Sequence, residues 1–174
     1  MTVFARLLIT LFILICSPHI VMAQTSANDG PSDGPSEGSG ESSLIAPSPN
    51  LSPEDVVEIQ LLGLKLTKGD SSSLEMRQVW AFAHPANKAM TGPLARFATL
   101  FDMPAYRPLL GHVSHQIIRL SLSEDYAQLQ VQITGTDSRS YVYLWVVARA
   151  SSGPEAGSWM TMSVSAPAGG GTQS

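Results

Sequence analysis

Two hydrophobic rhythms follow one another along this chain. Between residues 51 and 101 apolar side chains recur every three or four positions, the period of one helix face; beyond residue 112 they recur every second position, the period of a strand. In the first region Val57, Leu61 and Leu64 form a stripe that Val56, Ile59 and Leu62 widen. Ser52-Pro53-Glu54-Asp55 opens it. A serine hydroxyl accepts from first-turn amides, proline suits the first helical position, and two acids suit the positive end of the helix dipole. Gly69 is the expected stop. Gly63 inside the helix costs about 1 kcal/mol against alanine, which a close helix or sheet contact would explain. Residues 74–83 read as a second helix, ended before Pro85. Thr91-Gly92-Pro93 starts a third, with Leu94, Phe97, Ala98 and Phe101 on one face. Pro104, Pro108 and Gly111 make the next stretch an irregular loop.

The strand region divides at its turns. Residues 113–122 form a first strand, and Ser123-Glu124-Asp125 a turn. Residues 126–134 alternate: Ala127, Leu129, Val131 and Ile133 face one way, Gln128, Gln130, Gln132 and Thr134 the other. Residues 140–149 are apolar on both faces, as in a central strand covered on both sides. A loop over 153–158 leads to a last strand over 159–165. Connections this short make every pairing antiparallel. The expected class is α+β: N-terminal helices packed on a curved, four-stranded antiparallel meander, cone-like in outline.

The ends of the chain have a different character. Residues 7–16 are an unbroken apolar run behind Arg6, Ser17 and Pro18 break it, and Val21-Met22-Ala23 supplies a small residue for cleavage. That is the layout of a secretory signal cut after Ala23, and the run is shorter than the roughly 20 residues a bilayer span needs. The expected localisation is therefore secreted or periplasmic, with no membrane association after cleavage. Residues 24–50 are a Gly/Ser/Pro-rich acidic tether and residues 166–174 a tail of similar composition; neither has enough apolar surface to offset its ordering entropy. One domain over 51–165 remains.

Composition narrows the chemistry. Cys16 is the only cysteine of the 174 residues, so the cleaved chain has no disulfide, thiol nucleophile or thiolate metal site. The net charge is −4, but four acids lie in the tether, and the domain itself carries ten acids against nine bases. Without a Lys/Arg run it has no electrostatic footprint for nucleic acid. No nucleophile elbow, phosphate loop or zinc-protease string occurs.

Several strings together resemble a known family. They are Ser52-Pro53-Glu54 with Val56, Val57 and Gln60; Phe82-Ala83-x-Pro85-Ala86-Asn87; Thr91-Gly92-Pro93-Leu94-x-Arg96-Phe97; Tyr106-x-Pro108-Leu109-Leu110-Gly111-His112; and Trp159-Met160-Thr161. The likeness is to a bacterial and plant family known only as a domain of unknown function, number forty-eight sixty-four, and it covers nearly all of 51–165. It departs at His84, where the family's turn carries a small serine, and over residues 70–75. The layout is similar to the cone-shaped folds of the nuclear transport factor two superfamily. That similarity implies helices wrapped on a sheet with a pocket between them, in some members an isomerase or dehydratase site and in many only a binding site.

Candidate chemistry follows from these placements. Trp80, Asn87, Tyr106, Tyr143, Trp145 and Trp159 are the residues expected to line an apolar pocket, with plain core as the competing reading. His84, His112, Asp102 and Tyr106 are the candidates for a catalytic base and its partners, against ordinary roles as caps and carbonyl donors. His112 and His115 form an H-x-x-H string. In a strand that odd spacing sends the rings to opposite faces, so no metal and no cofactor is expected. Three functions remain open: non-catalytic binding of a small apolar or amphipathic ligand or a protein partner; an isomerase, dehydratase or hydrolase using a pocket histidine; and a homodimer formed through the outer face of the 126–149 hairpin.

Overall fold

The computed structural model describes residues 43–168. The expected signal (1–23), residues 24–42 of the tether and residues 169–174 of the tail lie outside the described residues. Contacts with the domain begin at Ile45, ahead of the expected boundary at Leu51: its N–H donates to Gln78 Oε1 at 2.7 Å, and Gln78 Nε2 donates back to its carbonyl at 2.9 Å. At the other end the Ala168 N–H donates to the Val142 carbonyl at 3.0 Å, beyond the expected boundary at residue 165.

The first helix, α1, spans Pro53–Leu66. Its start is a reciprocal cap: Asp55 N–H donates to Ser52 Oγ at 3.1 Å, and Ser52 N–H donates to Asp55 Oδ2 at 2.8 Å. It ends before Thr67, short of the expected stop; Gly69 instead takes a φ of 92° in the following turn. α2 spans Leu74–Ala81 and is capped by Ser73, whose Oγ accepts from the Met76 N–H at 3.1 Å. Gly63 sits where α1 crosses α2. A Cβ there would lie 2.9 Å from Val79 Cγ2 and 3.0 Å from the Glu75 carbonyl oxygen, so the close contact that the sequence asks for is with α2.

The chain then forms a helix where a turn was expected, α3 over Pro85–Thr91. It buries no residue, so it leaves no apolar stripe to read; Pro85 at its first position and His84 at its cap start it instead. Gly92, at φ 83°, ends it. α4 spans Leu94–Ala98 and tightens into a 3-10 turn over Thr99–Asp102, and a second 3-10 turn covers Arg107–Leu109.

Four strands follow: β1 Ser114–Leu122, β2 Tyr126–Thr134, β3 Ser140–Arg149 and β4 Trp159–Val164. They pair in the order β1-β2-β3-β4, all antiparallel, which is the expected meander. The fold is α+β with its helices N-terminal to its strands. The register sets Ile117, Val131 and Tyr143 side by side, and likewise Leu129 and Trp145. These residues lie on the face that packs on Val56, Val57, Leu61 and Leu64 of α1, Met76 and Val79 of α2, and Phe97 and Phe101. Each large side chain buried this way contributes roughly 1.5–3 kcal/mol. The expectation that β3 is covered on both faces holds only in part. Its inner residues Tyr143, Trp145 and Val147 are buried, and on the outer face Val146 is buried while Val142 and Leu144 are half-buried; further along that face, Ile118 and Leu120 on β1 are exposed.

Candidate functional site

Gln60 is the polar exception in the buried stripe of α1, with only 2% of its surface exposed. A buried amide must find partners. Its Nε2 donates to the Val79 carbonyl at 2.9 Å, and its Oε1 accepts from Thr161 Oγ1 at 2.6 Å and from Trp145 Nε1 at 3.2 Å. The indole N–H is also 3.1 Å from Thr161 Oγ1. One helix and two strands are thus joined by a network with no charge in it.

This network is the floor of a half-enclosed cavity of about 280 Å³. Leu64, Val79, Phe97, Leu100, Phe101 and Leu109 form apolar walls, with Met90 of α3 and Val164 of β4 at the other side. β4 is the last strand of the sheet, and beside the cavity the helical half meets its outer edge through polar links. Thr161 N–H donates to the Phe82 carbonyl at 2.8 Å, and His84 N–H donates to the Thr161 carbonyl at 2.9 Å. The pairing of β3 with β4 then shifts by one residue, leaving Met162 as a bulge. Asn87 Nδ2 donates to the Met162 carbonyl at 3.0 Å, and Tyr106 Oη donates to the Val164 carbonyl at 3.1 Å.

Of the residues expected in the pocket, Asn87, Tyr106 and Trp145 line this cavity; Trp80, Tyr143 and Trp159 do not. Trp80 packs outside the lining against Phe97, ring centroids 4.9 Å apart, with Lys88 Nζ 5.6 Å from its own centroid. Tyr143 is fully buried core. Its hydroxyl donates to the Ala105 carbonyl at 2.9 Å, and burial pushes its phenol pKa well above the usual range, ahead of smaller effects of Tyr141 and Tyr106. Trp159 lies under the Arg149 guanidinium, 4.5 Å from the ring centroid. Sequence reasoning missed Gln60 and Thr161 as floor residues. The readable signal was an amide falling within a helical apolar stripe, at i+4 from Val56 and i−4 from Leu64.

Of the acid–base candidates only Tyr106 lines the cavity; the other three are placed elsewhere. His84 caps α3, its Nδ1 accepting from the Ala86 N–H at 3.1 Å. Asp102 is exposed, and neither it, His84 nor His112 lines the cavity. His112 and His115 do not point apart as the strand spacing implies. His112 and Val113 precede β1, and Gly111 at φ 63° turns the chain just before them, so the rings meet. His112 Nδ1 donates to the Leu109 carbonyl at 2.8 Å, His112 Nε2 is 2.8 Å from His115 Nδ1, and His115 Nε2 is 3.0 Å from Glu58 Oε2 on α1. With the Nδ1 hydrogen committed, neutral His112 accepts from His115 at Nε2. Burial lowers the His112 pKa; the bond to Leu109 opposes this, His115 and Lys65 add to it, and Glu58 opposes it. Among the described residues no group of three or more His, Cys, Asp or Glu is arranged to hold a metal ion. The trio instead ties α1 to the start of β1.

No protein-family model, curated protein or solved structure matches this chain.

Proposed function

We propose that this protein is an exported, non-catalytic binding domain that holds a small apolar or amphipathic molecule in the cavity between its helices and β4. The cavity itself carries the reading. It is half-enclosed, walled by leucine, valine, phenylalanine and methionine, and closed at its inner end by a hydrogen-bond network of uncharged side chains. Pockets that orient a small ligand have this composition, mostly apolar with a few placed polar groups. The enzyme alternative has less support. Catalysis needs an acid or base within hydrogen-bond reach of the reacting atom, and the two candidate histidines serve a helix cap and a link between α1 and β1. The secretory-signal layout expected of residues 1–23 would place such a domain outside the cytoplasm.

The test is thermal melting of the purified protein against a panel of lipids and small hydrophobic metabolites, with native mass spectrometry for any molecule that co-purifies. A ligand should raise the melting temperature, and Leu100→Trp, which fills the cavity from its wall, should abolish the shift. A flat panel with no co-purifying mass removes the proposal.

A further inference from the structure

The cavity wall carries a more specific message, which rests on the ligand-binding reading above: we infer that the molecule it takes is uncharged and has about eleven non-hydrogen atoms, scaling from a 150 Å³ apolar cavity that holds benzene to the 280 Å³ found here. Every described residue lining the cavity is neutral. Lys88 follows Asn87 in α3 yet turns its ammonium away, donating to the Ala81 carbonyl at 3.3 Å and lying near the Trp80 ring. Burial depresses the Lys88 pKa, with Glu155 acting in the opposite sense. A carboxylate or ammonium entering this space would lose its hydration and meet no counter-ion, which is the costliest form of burial.

The polar groups present set where a neutral ligand's own polar atom goes. On the buried floor the Trp145 N–H, the Thr161 hydroxyl hydrogen and the Gln60 carbonyl are already paired with one another. That end suits the ligand's apolar end, because displacing those bonds would leave buried groups unpaired. Asn87 and Tyr106 are only half-buried. The Tyr106 hydroxyl spends its hydrogen on Val164, leaving oxygen lone pairs to accept, and the Asn87 amide has a second hydrogen beyond the one on Met162. A ligand hydroxyl pairs with both, donating to the phenol oxygen and accepting from the amide, and a ligand carbonyl accepts from the Asn87 amide alone. The class is therefore a medium-chain alcohol, ketone, aldehyde or small neutral terpenoid, entering hydrocarbon-first.

Three probes of matched size, decanol, decylammonium and nonanoate, decide this together with decane as the apolar control, all titrated at neutral pH and followed by the fluorescence of buried Trp145 and by calorimetry. Decanol should bind at least about tenfold more tightly than either ion, since each ion must shed its charge or stay at the mouth. Leu100→Trp should abolish decanol binding, and Tyr106→Phe should weaken decanol more than decane, because only the alcohol uses the phenol oxygen. If nonanoate or decylammonium binds as tightly as decanol, the inference on charge fails while the binding function stands. If decanol, decane and both ions all fail to bind, the cavity is not a ligand site and both readings fall together.

Discussion

The Thr161 hydroxyl donates to the side-chain carbonyl of Gln60 across 2.6 Å, joining two residues 101 positions apart. Through this bond, β4 is tied to α1 beneath the cavity. Trp145 Nε1 donates to both partners, so the three side chains act as one unit.

Breaking that unit has a graded effect. Thr161→Val leaves Gln60 still bonded to Trp145 and should cost about 1 kcal/mol of stability, whereas Gln60→Leu also strips the Val79 carbonyl of its partner and should cost about 1–3 kcal/mol. Because the residues share partners, the double variant should lose less than the two single losses added together. Urea denaturation of the four proteins measures this, and strict additivity would show that the network is not a unit.

Gly63→Ala tests the crossing of α1 and α2. On an isolated helix the change would gain about 1 kcal/mol. Here the new methyl meets Val79 Cγ2 at 2.9 Å and the Glu75 carbonyl oxygen at 3.0 Å, and the backbone atom cannot rotate aside. Overpacking of this kind costs about 1–3 kcal/mol, so the variant should melt lower than the parent. An unchanged or higher melting temperature would mean that the helices separate freely at this crossing.

His112 makes stability depend on pH. Burial lowers its pKa in the folded state, so the unfolded chain binds the proton more readily. Its contribution is then fully present above the unfolded value of about 6.5 and is lost as pH falls through that value toward the folded one. Melting temperatures followed from pH 8 to pH 5 should decline below about 6.5, and His112→Gln should flatten the decline. A wild-type profile level across that window would remove His112 as its cause.

Tyr106→Phe isolates one of the links on the β4 edge. It keeps the ring in the cavity wall and removes only the bond to the Val164 carbonyl. The expected loss is about 0.5–1.5 kcal/mol, with faster hydrogen exchange confined to the end of β4. Exchange that accelerates evenly over the whole sheet would contradict a local role.

Much of the architecture is legible in the sequence, because the information it needs is one-dimensional. Alternation over 126–134 marks a strand whichever partner it finds, and Ser52-Pro53 with Asp55 starts a helix from its own atoms. α3 was not legible. A helix of seven residues that buries nothing writes no period into the sequence, and its proline and histidine signals look like those of a turn. Only half of the expected pocket residues proved to line the cavity, since an aromatic residue's type says that it is buried and not against what.

The local order of this protein, then, was determined by its sequence alone: a helical half, a strand half, the turns between them and the antiparallel sense of the sheet. Tertiary structure alone decided which face of β3 the helices cover, that His112 and His115 meet, and that Gln60, Trp145 and Thr161 enclose a neutral hollow. The physical reason is range. Hydrogen-bonded period and capping act between near neighbours in the chain, whereas a cavity is formed by groups brought together from distant positions, and its shape depends on where the packing between them stops.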